Sequence, residues 1–178
     1  MSNQTIADIY TANDNIHARL KETIAKLNDE QLAFLPEGEK WTIAHIVEHI
    51  AIVKDGMSRI SAKLLAQAQN AGKQSNGEAI LTENFAKKSA EARQLKFEAP
   101  DRVHPTGNLT FGESLAKMEE SGQALEKLRP LFETVECSDY KFPHPFMGEL
   151  SAHEWLALVG GHEARHLAQI ERILAQVS

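Results

Sequence analysis

Cysteine is almost missing from this sequence. Cys137 is the only one in 178 residues, so no intramolecular disulfide can form and no thiolate cluster can hold a metal. Long apolar runs are missing too. No stretch of about 18 uncharged apolar residues occurs, which argues against a membrane span. The opening MSNQTIADIY has neither the basic start nor the apolar core of a secretory leader, so the expected compartment is the cytoplasm. Positive charge is in deficit: 19 Lys and Arg face 25 Asp and Glu, for a net charge of −6 and a pI near 5.8. That is the wrong sign for neutralising phosphates, so nucleic acid is not an expected partner. Valine is scarce, at 6 residues against 23 Ala and 18 Leu. This balance favours helix, where small or unbranched side chains lose little rotamer freedom. At 42% apolar and 25% charged residues, the composition is that of a globular chain, and the length suits a single domain over 1–178.

Histidine is plentiful. There are eight, so any transition-metal chemistry must rest on imidazole and carboxylate.

The six prolines, at 36, 100, 105, 130, 143 and 145, propose the boundaries, because proline breaks helix interiors. Ile6, Ile9, Asn13, Ile16, Leu20, Ile24 and Leu27 recur at steps of three and four and predict a helix over about 4–27, with a turn and one short helical turn before Pro36. Ile43, Ile46, Ile50, Val53, Met57, Ile60 and Leu64 form a longer seam that begins at Thr42 and ends near the loop 70–77. A weaker stripe, Ile80, Leu81, Phe85 and Leu95, predicts a short covering helix over 78–95. Thr110 with Glu113 reads as a capping box that opens a third long helix, which Pro130 is expected to kink or end. Gly122 on its seam suggests close approach by a neighbouring backbone. A second box, Ser151 with Glu154, follows the extended FPHPF segment and opens the last helix. The pattern predicts an all-α four-helix bundle with an extra short helix or long connection between the second and third long helices.

The seam of the last helix is Trp155, Val159, His162, His166, Ile170, Ile173 and Val177. His162 and His166 are one turn apart and project from the same face, inside the apolar stripe. An unpaired buried imidazole costs about 1–3 kcal/mol, whereas a metal ion uses both rings at once. His49, between Ile46 and Val53, is the natural third ligand. Three neutral imidazoles and an open position would lower the pKa of a bound water toward about 7. The bland alternative is a set of core histidines hydrogen-bonded to carbonyls or carboxylates.

Residues 162–166 also read His-Glu-Ala-Arg-His, a literal HExxH, in which Glu163 would act as the base of a zinc protease. Against this, only twelve residues follow His166, Leu167 to Glu171 contain no glycine, and no strand is evident for a peptide substrate to pair with.

WTIAHIVEH, with histidine eight residues after Trp41, together with GHEARHLAQI and the preceding HPFMGELSAHEW, resembles the DinB-like (DinB/YfiT) superfamily of metal-dependent enzymes. The resemblance spans essentially the whole chain and includes Gln169. It implies a four-helix bundle, often a homodimer. It also implies a metal triad at His49, His162 and His166, holding zinc, nickel or another divalent ion (iron, manganese) near one end of the bundle. Some relatives are transferases that use low-molecular-weight thiols, and others are described as hydrolases. The sequence departs from the commonest pattern at His45, often acidic or amide in relatives, and at Arg165, where some relatives carry another histidine.

The other histidines read more plainly. His17 borders the buried face of the first helix, His153 should face away from His162, and His104 and His144 sit in proline-containing loops. Glu48 and Glu163 fall off the seams and read as solvated, and Cys137 reads as packed. Three functions follow. The leading one is a metal-dependent enzyme that activates water or a thiol against a small molecule. The second is a catalytically silent dimeric bundle acting in binding or stress response, whose site would be metal-free or closed by His45 or His17. The third is the HExxH protease.

Overall fold

The computed structural model describes residues 4–94 and 98–177. Helix α1 (Ile6–Ile24) starts at a capping box in which Thr5 and Asp8 satisfy each other's backbone N–H groups. The short α2 (Asp29–Ala33) is capped in the same way by Asn28 and Gln31. Helix α3 (Ile43–Ala71) is the longest at 29 residues and stops at Gly72, whose φ of 69° is the left-handed conformation glycine adopts without strain. Helix α4 (Glu83–Gln94) is the short covering helix predicted over 78–95; Leu95 lies outside the described residues.

Helix α5 (Phe111–Thr134) opens at the Thr110–Glu113 box and runs through Pro130 instead of ending there. Pro130 removes one ladder donor only. The next turn is kept by Val135 N–H donating to the Leu131 carbonyl (2.8 Å) and by the Thr134 hydroxyl donating to the Pro130 carbonyl (2.6 Å). Strands β1 (Lys141–His144) and β2 (Gly148–Ser151) form an antiparallel hairpin with Lys141 opposite Ser151. The sequence showed this segment only as extended. A two-stranded ribbon has two free edges, so it tolerates Pro143, and His144 Nδ1 accepts the N–H groups of Phe146 and Met147 (both 3.2 Å) to pin the turn. Helix α6 (Ala152–Leu174) starts at the Ser151–Glu154 box.

Packing runs α3 against α5 and α6, and α6 against α1, while α1 and α5 touch only sparsely. The result is the four-helix bundle, with α4 and the hairpin laid over it. Its apolar interior falls into two clusters. One gathers Ile6, Ile9, Met57, Leu64, Leu125, Phe132, Leu156 and their neighbours. The other gathers Leu20, Ile24, Ile46, Ile50, Met118, Leu167 and Ile170. Burial of each such side chain contributes about 1.5–3 kcal/mol before conformational entropy is subtracted. Along α6 the first cluster ends at Val159 and the second begins at Leu167, so the segment between them carries both histidines and Glu163. The close approach expected at Gly122 is to a side chain: a Cβ there would sit 3.7 Å from Lys54 Nζ. The tight backbone crossing is at Gly160, where a Cβ would lie 2.2 Å from Asn13 Oδ1.

Candidate metal centre

His49 stands in the second turn of α3, and His162 and His166 stand in the middle of α6. The α3·α6 packing brings all three together, with one ligand atom of each within 4.8 Å of the others. His162 Nε2 lies 3.2 Å from His49 Nε2 and 3.2 Å from His166 Nε2. A tetrahedral ion with metal–nitrogen bonds of about 2.05 Å needs nitrogens about 3.3 Å apart, which matches the two distances from His162.

Proton positions sharpen the fit. His49 Nδ1 faces the Val103 carbonyl at 2.7 Å, which can only accept, so Nδ1 carries the proton. His166 Nδ1 likewise donates to Gln169 Oε1 at 2.9 Å. Burial, the larger cause, holds the pKa of His49 below the usual histidine range; the neighbouring His104 adds to this and the Val103 carbonyl opposes it. Burial, with His49 nearby, takes His166 down to about 3. Burial and both neighbouring imidazoles hold His162 well below that range as well. The rings are therefore neutral, and Nε2 of His49 and of His166 present bare lone pairs. His162 can supply one Nε2 proton at most. One of its two 3.2 Å contacts must then set lone pair against lone pair, a repulsion that a cation among the three nitrogens removes.

The surroundings fix the triad further. The Trp41 ring lies 4.9 Å from the His49 ring, and His104 packs edge-on against Trp41 at 5.7 Å. His45 does not join the cluster. It is the third residue of the α3 capping box, its N–H donating to Thr42 Oγ1 and its Nδ1 accepting the Thr42 N–H (3.4 Å). Among the described residues no fourth His, Cys, Asp or Glu joins the three.

Glu48 and Glu163 correct the sequence reading, since neither is solvated. They are 2% and 1% exposed. Glu48 Oε1 accepts the Thr106 N–H (3.1 Å) and hydroxyl (2.9 Å), and Oε2 accepts the Gly107 N–H (2.9 Å). Burial would raise its carboxyl, but these donors outweigh it and hold the group below the usual carboxylate range. Glu163 Oε1 pairs with Lys54 Nζ at 2.9 Å, and Oε2 meets His17 Nδ1 at 3.2 Å, in the groove between α1 and α5. There too, His17 and Lys54 overcome the raising effect of burial. His17 also faces Glu119 through Nε2 at 3.4 Å. Glu163 is thus tied to a second cluster and is not placed as the base of an HExxH protease. Lys54 went unnoticed in the sequence, although a lysine four residues after Ile50 was the available signal.

His153 faces away from the triad as expected, but into the core: it is fully buried beside Phe132, and its Nδ1 accepts the Ile80 N–H at 3.1 Å. His144 lies against Trp155 at 5.4 Å, and burial, with Arg102 and Lys88 nearby, takes it down to about 4. Cys137 is buried and free, its thiol pushed up to about 12 by burial and the adjacent Glu136.

A bundle of this topology with three imidazoles converging between α3 and α6 defines the class, and the DinB superfamily profile matches residues 12–170. The chain belongs to the DinB superfamily. It is similar to the uncharacterized protein YuaE of Bacillus subtilis (strain 168), with 26% identity over 155 residues that cover 85% of this chain and 88% of the relative. It is also similar to a protein of Oceanobacillus iheyensis that bears the name "Putative metal-dependent hydrolase OB0413", with 28% identity over 178 residues that cover 98% of this chain and 90% of that one. The solved structure of TT2238, a four-helix bundle protein, superposes with a TM-score of 0.63 at 21% identity, covering 94% of this chain and 99% of that one; it supports the fold. No helix among the described residues is long and apolar enough to cross a membrane.

Proposed function

We propose that His49, His162 and His166 hold one divalent metal ion through their Nε2 atoms, and that the protein is a metal-dependent enzyme acting on a small molecule by hydrolysis or thiol transfer. The observation that carries this reading is the convergence of three neutral imidazoles with at most one proton among their facing nitrogens. The naming of a relative as a metal-dependent hydrolase agrees with it. Zinc and nickel suit an imidazole set best, with iron and manganese as further candidates.

When bound, such an ion supplies Lewis acidity and lowers the pKa of a coordinated water or thiol toward about 7. The chain does the rest. Val103 and Gln169 hold two rings in the Nδ1–H tautomer, so their lone pairs aim inward without reorganisation. Trp41, with His104 behind it, covers one face of His49 and keeps water from that side. With three protein ligands and no fourth candidate in the cluster among the described residues, a coordination position is left for the reacting molecule.

Metal analysis of protein purified without a histidine tag tests this. One equivalent of a divalent metal is expected in the native protein and none in His162→Ala; full retention in the variant overturns the ligand assignment. Activity screens against small esters, amides and thiol-accepting electrophiles then separate hydrolysis from transfer.

A further inference from the structure

Glu48 precedes His49 in sequence, yet its carboxylate is directed at a different part of the chain. Both oxygens are taken by the loop before α5: the Thr106 N–H, the Thr106 hydroxyl and the Gly107 N–H all donate to it at 2.9–3.1 Å. That same loop begins with Val103, whose carbonyl receives the His49 Nδ1 proton at 2.7 Å, and with His104, whose ring backs the Trp41 ring over His49. The His104 ring is in turn fixed by its Nε2 donating to the Ala99 carbonyl at 2.7 Å. A buried carboxylate on α3 thus clamps the segment that orients and covers the neighbouring residue on α3.

We infer that Glu48 is a positioning residue of the metal site, setting the tautomer and direction of His49 through the 103–107 loop. The inference rests on the proposed metal site for its consequence but not for its geometry. A carboxylate can accept from all three donors at once, whereas glutamine has one accepting oxygen, and its NH2 would face an N–H group as donor against donor. Glu48→Gln therefore keeps the size of the side chain and loses at least one of the three bonds, which loosens the clamp. With the loop loosened, the Val103 carbonyl is held less firmly against His49 Nδ1, and the Nε2 lone pair is less firmly directed toward His162.

Two measurements on the full-length protein test this. In the metal-free protein, nitrogen chemical shifts of the imidazoles report the His49 tautomer: Nδ1–H in the wild type, and a mixture with Nε2–H in Glu48→Gln. Titration with Co2+, followed by its visible absorption, reports affinity. Second-sphere partners of this kind are worth about ten- to a hundredfold in metal affinity, and Glu48→Gln is expected to weaken Co2+ by that factor. Phe132→Leu, a core substitution in the other apolar cluster, should lower stability while leaving both readings at wild-type values. Should Glu48→Gln fail to fold, Thr106→Val deletes one donor to the same carboxylate and should move both readings the same way by less.

An unchanged His49 tautomer in Glu48→Gln overturns the inference. So does a changed tautomer with Co2+ affinity within twofold of wild type, and so does an equal loss of affinity in Phe132→Leu. A wild type that binds no Co2+ defeats the metal reading instead, and the tautomer comparison alone then decides whether Glu48 orients His49.

Discussion

Asn13 on α1 and Gly160 on α6 interlock: Asn13 Oδ1 accepts the Gly160 N–H at 3.1 Å, while Asn13 Nδ2 donates to the Leu156 carbonyl at 2.9 Å. One amide thus grips two backbone groups a turn apart, two residues before His162. The grip depends on the missing side chain, since a Cβ at Gly160 would lie 2.2 Å from Asn13 Oδ1 and 3.2 Å from Asn13 Cα. Gly160→Ala is expected to destabilise the fold by about 1–3 kcal/mol, the usual cost of overpacking. The adjacent Gly161 has nothing within 4 Å of its would-be Cβ, so Gly161→Ala should be neutral or stabilising by up to about 1 kcal/mol through helix propensity. Urea denaturation of both variants checks the contrast.

Lys54 and Glu163 form a buried pair, with side chains 6% and 2% exposed. Removing Lys54 leaves Glu163 with His17 as its remaining partner, so Lys54→Met should cost less than the about 3–5 kcal/mol of a fully stranded buried charge, and the double variant Lys54→Met with Glu163→Leu should recover part of it. Unfolding measurements on the full double-mutant cycle test the coupling. Metal content should survive Glu163→Gln, and loss of metal in that variant would mean that Glu163 serves the histidine site after all.

Acid should weaken the metal-free protein well before ordinary carboxylates titrate. His166 is held down to about 3 by burial and His49, against about 6.5 in an unfolded chain. Between those values the unfolded chain binds the extra proton and the native one does not. The stabilising effect is therefore complete above about pH 6.5 and falls as pH drops through the window, by at most about 1.4 kcal/mol per pH unit for one histidine. His49, His162 and His153, also lowered chiefly by burial, act in the same direction. As pH falls from the usual carboxylate value toward their depressed folded-state values, Glu48 and Glu163 add a second loss of the same sign, because the unfolded chain takes up those protons first. Denaturation midpoints at pH 7.5, 6 and 5 should fall steadily; a flat profile down to pH 5 would show that these rings are protonated in the fold.

Metal should stabilise the native state by mass action. At a free concentration 100 times Kd the gain is about 2.7 kcal/mol. A thermal shift with Zn2+ or Ni2+ that disappears in His166→Ala is the expected result, and an equal shift in that variant would mean binding elsewhere.

The long helices were legible because their apolar residues repeat at three and four over many turns, and Ile43 through Leu64 kept that step without interruption. The boxes at Thr110 and Ser151 stood out because glutamate occupies the third position. At Thr5, Asn28 and Thr42 the same role falls to Asp8, Gln31 and His45, and the pattern went unread there. His49, His162 and His166 were legible because polar rings stood on or beside apolar stripes. Glu48, Lys54 and Glu163 were not: periodicity scores apolar residues, and what draws these charges inside are the Thr106–Gly107 loop and side chains from other helices. The hairpin escaped for a related reason. Two prolines hide a strand whose pairing partner follows it within a few residues.

The single thiol offers a last consequence. Cys137 has no exposed surface and lies in the apolar cluster that includes Phe132, and its proton is held up to about 12. A thiol reagent can reach it only when that part of the bundle opens. The chain therefore carries its own clock: the rate of labelling at one natural atom reads the frequency of opening, and slowing of that clock by metal would report, from the other cluster, how far the grip of three imidazoles extends through the molecule.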